Sequence, residues 1–310
     1  ALLLIGSGAV VRVSRCPIYV RRVPVWQIMA VVLLAADLIT ASYGFNPAAD
    51  PKWLNFEPPA LTWLKAQNPH EWRVTTYQAP NATATLNANI AWRFGIQDIR
   101  GYDSIITRQY VEYMQNLAPQ SQLLYNRIAP IYPDTAGALS SPYLDMLSVR
   151  YVLSEAELDT AQFPHYRLAY EDEALRIYEN TKALPRAFVI IPGMEFCGMP
   201  DMLPISALFP GATAEIIKAD IEQARNNEVL VRVKVAGEGG MLLLTDSYAT
   251  GWRAYVRPAA APEDAEQETE IFLTHGNFRS VKVPEGESLV RFRYSPPSFQ
   301  VGAFASFLSG

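Results

Sequence analysis

The sequence predicts an α+β fold: a transmembrane helix, then an extracytoplasmic mixed α/β region, then a C-terminal antiparallel β-sandwich that ends at the start of another transmembrane helix. Three observations predict it. Val23 to Gly44 is an apolar run of about 22 residues whose one ionisable group is Asp37. From about Ala212 onward, short segments rich in β-formers recur every ~8–12 residues with turns between them, the spacing of a sandwich. Between these two parts, helical and strand patterns mix without a repeat.

At ~1.5 Å per residue the Val23–Gly44 run reaches ~30 Å as a helix, the thickness of the hydrocarbon core of a bilayer. Trp26 and Tyr43 stand near its ends, where amphipathic rings favour the headgroup level. Pro24 suits a first helical turn, where its missing N–H would be unpaired anyway. Upstream lie Arg12, Arg15, Arg21 and Arg22 with no acidic residue among them. Short basic loops stay in the cytoplasm, so this loop is expected inside and 45–297 outside. A buried core helix of a soluble protein is the competing reading, because Gln27 and Asp37 interrupt the run. A cleaved signal peptide fits less well, since apolar sequence precedes the arginines. The opening ALLLIGSGAVV reads as the end of another span, and the closing VGAFASFLSG as the start of a further one. The expected organisation is therefore 1–44 membrane helices with a basic loop, 45–205 mixed α/β domain, 206–297 sandwich and 298–310 the next span, in a multi-pass membrane protein.

In the mixed region, Pro58 and Pro59 open a short helix with Leu61 and Leu64 on one side. Trp72 to Tyr77 alternates and reads as a strand. Asn81-Ala82-Thr83 matches an N-glycosylation triplet, a pattern common by chance. In IQDIRGYDSI, residues 96–105, Gly101 is expected to supply a turn and Asp103 or Ser104 to cap the next helix. That helix carries Ile106, Tyr110, Tyr113, Met114 and Leu117 on one apolar face. Arg100, Tyr102 and Asp103 form a candidate polar binding site, competing with a plain Arg–Asp pair plus helix cap. Ser140–Leu147 reads as a helix, Val149–Leu153 as a buried strand, and Tyr166–Tyr170 with Leu175–Tyr178 as a hairpin. Arg186–Ile191 is one more strand, grouped with this region.

In the sandwich the expected strands are Glu215–Lys218, Val229–Val235, Met241–Ser247, Trp252–Arg257, Glu270–Leu273, Arg279–Val283 and Leu289–Tyr294. Met241–Leu244 is continuously apolar, as a central strand is. The acidic stretch 258–268 reads as a solvated loop. Trp252 and Tyr255 are a candidate sugar-stacking pair, competing with a simple core role.

Net charge is −5. Residues 1–44 hold four Arg and one Asp, and the rest of the chain 22 basic and 30 acidic residues. So acidic an outer part argues against a nucleic-acid partner, which needs clustered positive charge. Cys16 and Cys197 fall on opposite sides of the expected membrane, so no disulfide is anticipated. His70, His165 and His275 are far apart in sequence, and no metal, phosphate-loop or nucleophile motif is present. No catalytic or metal-binding residue is assigned.

Four ordered segments resemble the YfhO-type family of bacterial multi-pass membrane proteins. They are ADLITASYGFNP (36–47), IQDIRGYDSI (96–105), LSVRYVL (147–153) with YENTKALPRAFVI (178–190), and TGWRAYV (250–256) with GNFRSVKVPEGESLVRFRYSPPSFQVG (276–302). One departure is visible: where the family carries a short Asp-Gly turn after the GWRAYV strand, this chain has Arg257-Pro258 and an acidic insertion. The resemblance implies a membrane glycosyltransferase of the C class, moving sugar from a polyprenyl-phosphate donor to a cell-wall or lipoteichoic-acid-type glycan. This excerpt would be its extracytoplasmic acceptor-binding or positioning module, with the catalytic carboxylate upstream. The lipid bilayer and the glycan are the implied partners, and no cofactor is expected beyond the donor. The alternative is a non-catalytic membrane-anchored protein that binds surface polysaccharide.

Overall fold

A computed structural model describes residues 2–15, 18–20, 22–45, 50–54, 56–79, 85–191, 215–237 and 239–309. Cys16, Arg21, Cys197 and the Asn81 triplet lie outside the described residues. The chain forms two compact units, 1–57 and 58–310.

In the first unit, α1 (Leu2–Ser14) packs against α2 (Val25–Ser42), and a two-stranded ribbon, β1 (Tyr19–Val20) with β2 (Val23–Pro24), connects them. The helices approach closely at Gly6, where a Cβ would stand 2.6 Å from Leu33 Cδ1. Among the described residues, α2 is the one helix long and apolar enough to cross a membrane. None of its residues is buried, and Val31, Val32, Leu34, Leu38 and Ile39 are exposed. It begins two residues later than the apolar run because Val23 and Pro24 are paired with Val20 and Tyr19.

The second unit is mixed α+β, built in layers. It opens with α3 (Pro59–Lys65), β3 (Arg73–Thr76), α4 (Ile90–Arg93), α5 (Arg108–Leu117) and α6 (Pro142–Met146). The strands β4 (Val149–Ser154), β5 (Tyr166–Glu171) and β6 (Arg176–Asn180) join β3 in a sheet of order β3-β4-β6-β5, with β3 and β4 parallel. Its alternate side chains serve two cores. Val74, Tyr151, Leu153 and Ile177 pack with α3, while Val149, Val152, Tyr166 and Tyr178 pack with α5 and α6. As the periodicity predicts, α5 buries Tyr113, Met114 and Leu117.

The remaining strands are β7 (Ala187–Ile191), β8 (Glu215–Lys218), β9 (Asp220–Arg225), β10 (Glu228–Val235), β11 (Gly240–Ser247), β12 (Trp252–Pro258), β13 (Gln267–Thr269), β14 (Phe272–Thr274), β15 (Phe278–Val283) and β16 (Gly286–Tyr294), followed by α7 (Pro297–Ser309). They form two five-stranded antiparallel sheets, β14-β15-β11-β7-β8 and β13-β12-β16-β10-β9. Ala187, Val189, Leu242, Leu244, Val281 and Val283 of the first share a core with Val231, Ala254, Val290 and Phe292 of the second. The opposite face of the first sheet carries Phe188, Ile190, Leu243 and Phe278 into the core of α5 and α6. That sheet is covered on both faces, which is why 241–244 reads as a continuous apolar run.

The strand at 187–191 differs from its sequence grouping. It pairs with β11 and β8, so it belongs with the C-terminal strands rather than with the mixed region. The polar strands β9 and β13 were not expected. Both are sheet edges, where one unpaired side and exposure to water relax the need for apolar alternation.

Candidate functional site

The fold brings Arg73 (β3), Arg186 (before β7), Asp246 (β11) and Arg279 (β15) together. Asp246 Oδ1 accepts from Arg73 Nη2 at 2.5 Å and Arg186 Nη2 at 2.8 Å, and Oδ2 from Arg279 Nη2 at 3.1 Å. Arg186 is 3 % and Arg279 2 % exposed. Arg73 also donates to Leu147 O and Thr245 Oγ1, and Arg186 to His70 O. The Arg279 guanidinium lies 3.7 Å from the Trp252 ring centre. A β-irregularity between Leu244 and Ser247 places Asp246 there, out of the regular ladder.

Burial alone would raise the Asp246 carboxyl, but the three guanidiniums outweigh it and hold the carboxyl far below the usual carboxylate range. Burial lowers Arg73 and Arg279 each to about 10, against the pull of Asp246. The cluster is three cations on one anion, with Arg186 Nε and Arg279 Nε and Nη1 buried without a hydrogen-bond acceptor. The cation–π contact with Trp252 compensates part of that deficit. Removing the single carboxylate would leave buried, uncompensated positive charge.

Beside this junction lies a cleft of ≈ 280 Å³, and Arg186 reaches both. Its lining includes apolar Trp72, Leu184, Ala187 and Ala219 and polar Glu71, Arg150, Glu179, Asn180, Thr181 and Lys218. Lys218 Nζ pairs with Glu71 Oε2 at 2.9 Å across residues about half and one-third exposed. Arg150 and Arg167 grip Glu179 from both sides at 2.8 and 2.7 Å. Burial pushes the Glu179 carboxyl up, but these two arginines outweigh it and leave it below its usual value. It is therefore an ionised acceptor near neutral pH, not a proton donor. Asn180 is fixed by its bonds to Asp145 Oδ1 and Val149 O. Trp72 is held through Nε1 to Gln67 O. The result is a mixed lining in which apolar side chains alternate with an amide and charged groups of both signs. Such a site suits a neutral polyhydroxylated ring, whose hydroxyls both donate and accept.

The residues singled out in the sequence lie elsewhere. Arg100 is locked in a buried pair with Asp98, its Nη2 at 2.6 Å, and also donates to Leu86 O. Asp103 accepts from Ile105 N and does not cap α5, whose N-cap is Thr107 without a side-chain bond. An extended segment separates Asp103 from the helix, so the cap expectation fails. Gly101 has no positive φ and lies in no turn, so the glycine turn expected there does not form. Tyr102 is exposed beneath Arg127, 5.1 Å from its ring centre. Trp252 and Tyr255 are three residues apart on β12 and point to opposite faces. Trp252 lies under Arg279, whereas Tyr255 sits on the outer face between Arg253 and Arg291. They form no common platform. The cleft residues come from four separated segments, and only the topology joins them.

No family model, curated protein or solved structure matches the chain. Among the described residues there is no cluster of His, Cys, Asp and Glu able to hold a metal ion.

Proposed function

We propose that this chain is part of a multi-pass cell-envelope protein of the YfhO-type, C-class glycosyltransferase kind, and that residues 58–296 form its extracytoplasmic glycan-binding module. The observation that carries the reading is the cleft of ≈ 280 Å³, whose volume and mixed polar and apolar lining suit one sugar unit of a surface polymer. The exposed apolar helix α2 supports the membrane anchor. In this reading the cleft positions the acceptor while the reacting carboxylate lies outside residues 1–310. The Lys218–Glu71 pair in the lining is a solvent-exposed ion pair worth ~0–1 kcal/mol, so sugar hydroxyls can displace it at little cost.

The test uses the full chain in nanodiscs, titrated with defined cell-wall and lipoteichoic-acid oligosaccharides by calorimetry. Saturable binding is expected, weakened at least tenfold in Arg150→Ala and Lys218→Ala. Unchanged affinity in both variants would remove the cleft from the account. Adding polyprenyl-phosphate sugar separates transfer from binding: sugar incorporation by this chain alone would contradict the positioning role.

A further inference from the structure

A second surface of the 58–310 unit carries unpartnered apolar side chains. Trp92 is 80 %, Ile105 84 %, Leu124 91 % and Tyr125 70 % exposed, and Tyr102 is half exposed. They come from three segments that are tied together: α4, the 102–105 loop and a single 3-10 turn at 123–125. Asn89, at the start of α4, exchanges two hydrogen bonds with the Tyr102 backbone. Asp103 N donates to Asn126 O at 3.1 Å, and Ile128 N to Gly101 O at 3.0 Å. The segments that carry the five side chains therefore meet at one junction, with Arg127 over the Tyr102 ring.

The same end of the unit is the root of α7. Gln109, at the start of α5 four residues after Ile105, donates to Tyr248 O. Ser295 N donates to Gly251 O at 2.8 Å, and a Cβ on Gly251 would stand 2.8 Å from Pro296 Cβ. So the loop junction, the 248–251 turn and the α7 base are neighbours. The 13 residues of α7 include no charged side chain, and Phe299, Val301, Phe304, Phe307 and Leu308 are all exposed. Bulky apolar side chains exposed along an uncharged helix call for cover by protein or lipid. Exposed Trp and Tyr beside Arg, at the foot of such a helix, have the composition of a membrane–water interface.

We propose that the Trp92–Tyr102–Ile105–Leu124–Tyr125 surface rests in the headgroup region of the bilayer that α7 enters. This rests on the membrane-anchored reading above. The bilayer contact would fix the module's orientation, and with it the direction in which the cleft faces the polymer.

The experiment uses the full chain with Cys16 and Cys197 changed to Ser, reconstituted in phosphatidylcholine–phosphatidylglycerol vesicles. A polarity-sensitive fluorophore is attached in turn to Ile105→Cys, Leu124→Cys, Ile39→Cys in α2, and Glu285→Cys in the exposed turn at the far end of β16. Blue-shifted emission at 105 and 124, quenched by lipid carrying a shallow spin label, is expected, with a water-like spectrum at 285. Water-like emission at 105 and 124 overturns the inference. So does a blue shift there without lipid quenching, which would mean coverage by another protein surface. Emission at Ile39 reports on the anchor separately: a water-like spectrum there defeats the membrane reading itself, whatever the loops show.

Discussion

The Asp246 junction and the neighbouring cleft are built from the same residue types and share Arg186, yet water reaches them very differently. At the junction the side chains are 2–18 % exposed and three arginines converge on one carboxylate. At the cleft, Lys218 and Arg150 are 49 % and 45 % exposed, and each meets one carboxylate within reach of water. Enclosure turns ion pairs into a structural joint, because breaking one strands a charge in low dielectric. Solvent access makes the same pairs cheap to break, as a binding site requires.

The sharpest way to break this comparison is Asp246→Ala. It leaves three buried guanidiniums without a counter-charge and should cost ~3–5 kcal/mol in denaturant unfolding of the full chain in detergent. A loss below ~1 kcal/mol would mean that the junction tolerates excess charge and is not structural.

His275 gives the 58–310 unit a pH signature. It sits in the β14–β15 turn with φ +50°, followed by Gly276 at +68°, and burial lowers its imidazole from 6.5 to about 4. The unfolded chain binds the proton more readily than the folded one. This contribution is therefore complete above pH 6.5 and is lost as pH falls from 6.5 towards 4. The loss is on the order of 2 kcal/mol after allowance for partial exposure. His275→Asn keeps a residue suited to positive φ before glycine, and its denaturation midpoint should fall less than that of the unaltered chain between pH 7 and 4.

Arg279→Met sharpens the comparison further. It removes one of the excess cations and leaves a thioether against Trp252, so its cost should be about 1–2 kcal/mol, well below that of Asp246→Ala. Lys218→Ala is the smallest effect, within ~1 kcal/mol of no change in stability, while its effect on glycan affinity should be large.

The elements were legible because periodicity records burial: Tyr113, Met114 and Leu117 on α5, and the uninterrupted 241–244 run in a sheet covered on both faces. The edge strands β9 and β13 were not, because DIEQAR and QET need bury little. The site was not legible either. Arg73, Arg186, Asp246 and Arg279 each read as an isolated charge in or beside a strand, and their meeting depends on β7 leaving the mixed region to pair with β11. Trp252 and Tyr255 misled for a local reason: an odd spacing on a strand separates faces. Charged residues within otherwise apolar strands, such as Arg150 in VRYVL and Asp246 after LLLT, were the available signal.

Hydrogen–deuterium exchange on the full chain, with and without a saturating cell-wall oligosaccharide, tests the central claim most directly. The account predicts slowed exchange at 181–187 and 218–221, which border the cleft, with 98–105 and 252–257 unchanged. Protection at those last two segments, with none around the cleft, would contradict it.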